Sequence, residues 1–134
     1  MSLKYLLDTN ICIYIMKQKP KSVLEKFEQL EVGMVGMSAI TYGELMYGAQ
    51  KSNQAKKAME LVHQLCNYIL PLSLSLKVPE YYAVIRAGLE KQGRVIGNND
   101  LWIAAHCLEL GITLVTNNEK EFSRVDKLKI ENWV

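Results

Sequence analysis

The chain has 134 residues, 49% of them apolar, and a formal net charge of +2. That length predicts a single domain over 1–134 with a substantial core, and so small a charge surplus neither marks nor excludes a nucleic-acid partner, because phosphate contacts need a local basic patch. Cys12, Cys66 and Cys107 contain no Cys-x-x-Cys pair, which argues against a disulfide framework or structural zinc; no apolar run approaches the roughly 20 residues of a membrane span, and the first residues lack a secretory layout, so a cytoplasmic chain with no membrane partner is expected.

Leu3 to Leu7 is a short apolar run ending in Asp8-Thr9-Asn10, which predicts a buried strand followed by a capping segment and a helix over Ile11 to Met16. Val23 to Leu30 carries apolar residues on one stripe and predicts a second short helix. Met34 to Met37, entered through Gly33, predicts a strand, after which Ser38 or Thr41 caps a helix running to about Ala49. Gln54 to Cys66 has helical spacing, Tyr68 to Leu72 suits a short edge strand around Pro71, and Lys77 to Gln92 is again helical. Gly93 to Gly97 breaks the pattern before an amphipathic helix that starts near Asp100 and ends at Gly111. Ile112 to Val115 is β-branched and runs into Thr116-Asn117-Asn118, with a last strand near Leu128 to Ile130. Alternating strands and helices predict an α/β fold, a three-layer sandwich whose central, mainly parallel sheet gathers functional groups beyond the carboxyl ends of its strands.

Four acids fall at such junctions. Asp8 follows the first strand, where helix capping would explain it as readily as chemistry. Glu44 shares a helical face with Ile40 and Tyr47, placing a carboxylate among apolar groups, although a surface position or a lysine partner would also serve. Asp100 sits in the first turn of its helix, where the helix dipole favours it, and Glu121, in a stretch that reads as a solvated turn, could turn back toward the same crevice. Together they would form an oxygen-ligand pocket for Mg²⁺ or Mn²⁺, the setting for activating water against a phosphodiester, with Thr9, Asn10, Ser38, Thr116 and Asn117 as polar support. His63 and His106 lie among apolar neighbours and read as packing or surface residues; phosphate-loop and Gly-x-Ser-x-Gly motifs are absent.

Leu6-Leu7-Asp8-Thr9-Asn10-Ile11, then Ile40-Thr41-Tyr42-Gly43-Glu44-Leu45, then Gly97-Asn98-Asn99-Asp100-Leu101-Trp102-Ile103-Ala104-Ala105 resemble, in order and spacing, the three acidic motifs of PIN domains. The ending Leu114 to Phe122, followed by Ile130-Glu131-Asn132-Trp133, is similar to that of VapC toxins of bacterial type II toxin-antitoxin pairs, so the resemblance covers nearly the whole chain. It implies metal binding by Asp8, Glu44 and Asp100. For the fourth acid, many relatives carry an Asp where Asn117 or Asn118 stands here, while a subgroup offers the Glu of a Glu-Phe pair, matching Glu121-Phe122. The resemblance further implies a homodimeric endoribonuclease that cuts structured RNA, in several members the anticodon loop of initiator tRNA, and so inhibits translation. A cognate VapB-type antitoxin would hold it inactive and supply any contact with DNA. Lys17, Arg86 and Arg94 are the candidate RNA contacts. Rival readings are a DNA flap nuclease, which usually needs helical arches too large for this chain, and a non-catalytic docking module with vestigial acids.

Overall fold

Short apolar runs followed by capping residues become the three inner strands of the sheet, and the chain passes from each into a helix. In the computed structural model, which describes residues 2–134, β1 (Tyr5–Leu7) leads into α1 (Thr9–Lys17) and α2 (Lys21–Glu28). β2 (Val35–Ser38) leads into α3 (Ala39–Gln50) and α4 (Ala55–Leu65), and β3 (Leu70–Leu72) into α5 (Val78–Lys91) and α6 (Asn98–Leu110). β4 (Thr113–Val115) is followed by α7 (Glu119–Phe122) and β5 (Lys129–Glu131). The sheet order is β3-β2-β1-β4-β5 and every pairing is parallel, so the expected mainly parallel sandwich is parallel throughout.

The two faces of the sheet explain why β1 reads as a continuous apolar run rather than an alternating one. Successive side chains point to opposite sides, and here both sides are covered. Leu7 and Val115 pack with Ile11, Cys12, Ile15, Met37 and Leu45 beneath α1 to α4, whereas Leu6 and Leu114 pack with Leu101, Ile103, Ala104 and Phe122 beneath α5 to α7. Gly36, inside β2, is required by close approach. A Cβ there would lie 2.9 Å from Leu72 Cδ1 and 3.2 Å from the Leu70 carbonyl oxygen. Gly111 ends α6 in the left-handed region at φ 68°, the conformation glycine adopts without steric cost.

The chain walks from β1 through β2 to the β3 edge, then crosses back by α5 and α6 to place β4 on the other side of β1. The strand order therefore reverses between β1 and β4, so the crevice that such sheets offer to ligands falls beyond the carboxyl ends of these two strands. The segment around Glu121, expected as a turn, is the short helix α7, anchored by the fully buried Phe122. A single helical turn offers no periodicity for a sequence pattern to detect.

Candidate active site

Asp8 is the residue after β1 and Thr116 the residue after β4, so the two meet across the point where the sheet order reverses. Asp8 Oδ1 accepts from the Thr9 amide at 2.8 Å, which makes Asp8 the N-cap of α1, and its Oδ2 accepts from Thr116 Oγ1 at 2.8 Å. The direction of that second bond is set from outside. The Asn118 amide donates to Thr116 Oγ1 at 2.9 Å, leaving the Thr116 proton to point at Asp8. Asp8 is thus both a cap and a member of a polar cluster, and only 4% exposed. Burial pushes its carboxyl above the usual range, opposed by the bonds from Thr116 and Thr9 and reinforced by the charge of Glu44.

Glu44 arrives from the middle of α3. Its Oε1 accepts from Thr9 Oγ1 at 2.6 Å, the Thr41 hydroxyl lies 3.1 Å from the same Thr9 oxygen, and Asn99 Nδ2 donates to Glu44 Oε2 at 3.4 Å. The buried stripe of α3 is Thr41, Leu45 and Ala49; Glu44 is half-buried beside it and Tyr47 is exposed. The expectation of a carboxylate enclosed by apolar groups is corrected accordingly: hydroxyl and amide donors orient Glu44 at the edge of the crevice.

Asp100 stands in the first turn of α6, half-buried, its carboxyl pushed up to about 6 by burial and by the charges of Asp8, Glu44 and Glu121. Glu121, from α7, is oriented by Asn118 Nδ2, which donates to its Oε2 at 3.1 Å. The four predicted acids therefore feel one another. Among the described residues the ion pairs are Lys21–Glu25 and Arg86–Glu90, and neither involves these four carboxyls. Negative charge is concentrated here without an ion-paired cation among the described residues.

The polar residues expected to support the acids divide. Thr9 and Thr116 bond directly to them. Ser38, fully buried, caps α3 by accepting from the Ile40 amide at 3.1 Å and lies 2.8 Å from His106 Nδ1, so its hydroxyl is committed to the scaffold. Asn117 turns to Tyr14 and Asn132, donating to the Tyr14 hydroxyl at 3.2 Å and accepting from Asn132 Nδ2 at 3.1 Å. Asn10 is exposed on α1. Sequence reasoning missed Thr41, Asn99 and Asn118. Thr41 and Asn118 each stand three residues from an acid, a spacing that was the available signal, whereas Asn99 reaches Glu44 from 55 residues away and had none.

The donor set is all oxygen, which suits a hard divalent cation and not zinc. Among the described residues no three His, Cys, Asp or Glu side chains form a ready-made metal cage. Mg²⁺ keeps several waters and is commonly held by one or two carboxylates, so it does not require a closed protein cage, and Asp8, Glu44 and Asp100 offer oxygens of the kind it takes.

The PIN domain family model matches residues 5–128. The chain is 42% identical over 132 residues to Ribonuclease VapC2 of Haemophilus influenzae, covering 98% of this chain and 99% of that protein. It is 40% identical over 131 residues to the tRNA(fMet)-specific endonuclease VapC of Shigella flexneri, covering 98% of each. Its fold superposes, with a TM-score of 0.91 and 37% identity, on a chain in the crystal structure of VapBC2 from Rickettsia felis bound to a DNA fragment from their promoter, over 98% of this chain and all of that one. An unpaired acid cluster at the switch point of a parallel sheet and whole-length likeness to these proteins lead to one assignment: the chain belongs to the PIN-domain family, among its VapC ribonucleases.

Proposed function

We propose that this chain is the toxin of a type II toxin-antitoxin pair and acts as a Mg²⁺- or Mn²⁺-dependent endoribonuclease on structured RNA, with initiator tRNA as the substrate suggested by the tRNA(fMet)-specific relative. The observation that carries the reading is the set of four carboxyls near the β1/β4 strand ends, where burial and the charges of Asp8, Glu44 and Glu121 push Asp100 up to about 6 and no ion pair among the described residues involves any of the four. Asp8, Glu44 and Asp100 would hold the ion. The ion, when bound, supplies charge neutralisation on the phosphodiester and an acidified water.

The chain's own residues do the rest. Thr116 and the Thr9 amide fix both oxygens of Asp8, and the Thr9 hydroxyl fixes one oxygen of Glu44, so the carboxylates are oriented before substrate arrives. Glu121, aimed by Asn118, would accept the proton of the water that attacks phosphorus, while the P–O bond opposite breaks in line, its electron pair leaving on the ribose oxygen, which takes a proton from solvent. Hydrolysis of this kind needs no covalent intermediate. Among the described residues no helix is long and apolar enough to cross a membrane; the site of action proposed is the cytoplasm, where the RNA substrate is. A VapB-type antitoxin and a second copy of this chain are the proposed partners, the first supported by relatives solved as VapBC complexes.

The test is RNA end-mapping after brief expression of the wild type beside Asp8→Asn in cells lacking the antitoxin. Discrete new 5′ ends with the wild type alone, at a tRNA loop, are expected. Growth arrest without new ends, equal for both proteins, would overturn the nuclease reading in favour of a docking module.

A further inference from the structure

The first turn of α6 carries Asn98, Asn99 and Asp100, yet its N-cap is Gly97 and makes no side-chain capping bond. A site carboxylate must be held to within about half an ångström and roughly 10–20° of its working geometry. The restraint comes from the neighbouring helix. Tyr82, on α5, places its hydroxyl 2.7 Å from Asn98 Oδ1 and stacks its ring on Trp102, with centroids 3.9 Å apart and planes 9° from parallel. Asn98 and Trp102 are one helical turn apart on the same face of α6, so Tyr82 grips the helix on both sides of Asp100.

Tyr82 is itself braced. Arg86 Nη1 donates to the Tyr82 oxygen at 2.6 Å, which leaves the phenol proton to be donated to Asn98, and Arg86 Nε donates to Glu90 Oε2 at 3.2 Å. The chain of bonds runs Glu90, Arg86, Tyr82, Asn98, and the next residue along, Asn99, reaches Glu44. None of these groups touches Asp8, and nothing in the sequence pattern distinguishes Tyr82 from its neighbour Tyr81, which is exposed.

We propose that Tyr82 is a positioning residue of the nuclease site, acting through Asn98 to set the α6 turn that presents Asn99 and Asp100 toward Glu44. The inference rests on the metal-nuclease reading above. Tyr82→Phe keeps the ring on Trp102 and removes only the hydroxyl. Its kcat on initiator tRNA should fall about tenfold, the scale seen when a partner orienting a metal ligand is lost, with KM within twofold of wild type. Mn²⁺ binding followed by electron paramagnetic resonance should weaken severalfold, while the thermal unfolding midpoint stays put. Asn98→Ala should reproduce both losses, and the double variant should be no worse than either single one, because one bond is broken in all three.

Losses that multiply in the double variant, or a loss confined to KM, would overturn the proposal; the second would make Tyr82 an RNA contact. A wild type that binds Mn²⁺ and cuts the tRNA while Tyr82→Phe matches it within twofold overturns this inference alone. A wild type that does neither overturns the metal-nuclease reading and the inference together.

Discussion

Asp100 and Asp8 carry a cost that the folded chain accepts in order to keep its crevice acidic. The unfolded Asp100 carboxyl titrates near 3.8 and the folded one near 6, with burial the first cause and the charges of Asp8, Glu44 and Glu121 behind it. An acid with a raised folded pKa binds its proton more tightly in the native state, so native stability falls as pH rises between those two values and levels off above them. Asp8 shifts in the same direction. Metal-free protein should therefore lose thermal midpoint from about pH 4 to about pH 6.5, Asp100→Asn should flatten that decline, and added Mg²⁺ should restore the midpoint at neutral pH. Because the buried His106, with its lowered pKa, contributes with the opposite sign toward pH 6.5, the decisive reading is the difference: identical profiles for wild type and Asp100→Asn would contradict the electrostatic reading. Thr9 is a second handle: Thr9→Val removes the 2.6 Å bond that aims Glu44 while keeping the side chain's shape, and cleavage should fall about tenfold with little change in unfolding midpoint. At this scale Asp8 and Asp100 are legible in the sequence as a strand-end acid and a first-turn acid, because such positions announce where a carboxylate will be presented, whereas Glu44 in mid-helix and Glu121 in α7 carry no such local mark. The orienting partners of the acids were less legible. Whether Asn117 or Asn118 faces the acids depends on the backbone path after β4, and it is Asn118 that bonds to both Thr116 and Glu121.

The elements were readable wherever a run of apolar residues met a capping residue. β1, α3 and α6 lie within about two residues of the spans expected from Leu7-Asp8-Thr9, Ser38 and Gly111. Helix α7 was not, since four residues give no period, and only the tertiary burial of Phe122 holds it. Ser38 shows why element and site must be separated. Its hydroxyl caps α3 and meets the buried His106, whose pKa is lowered by burial, so Ser38→Ala breaks a cap and leaves an imidazole nitrogen unpartnered. The expected loss is about 1–3 kcal/mol by chemical denaturation, with cleavage per folded molecule preserved. Severe loss of cleavage in a fully folded Ser38→Ala would return Ser38 to the site.

At the scale of the molecule, function follows from topology. Two helix layers over a parallel sheet place Leu6 and Leu7 in different cores, and the crossing from β3 to β4 brings Asp8, at the end of β1, within electrostatic reach of the acid on α6, which also feels those on α3 and α7. The sequence pattern foretold the layers and the parallel sheet; the reversal of strand order that brings Asp8 against Thr116, 108 residues away, depends on long-range packing that no local pattern encodes. On the proposed reading, these acids become a hydrolytic centre only with a divalent cation. The most direct test is cleavage of initiator tRNA by the purified protein, freed of antitoxin and stripped with chelator, across a Mg²⁺ titration beside Asp100→Asn. The account predicts no cleavage without the ion, a saturable return of discrete products as Mg²⁺ is added, and none at any concentration for Asp100→Asn. Equal cleavage with chelator present, or full activity in Asp100→Asn, would contradict it.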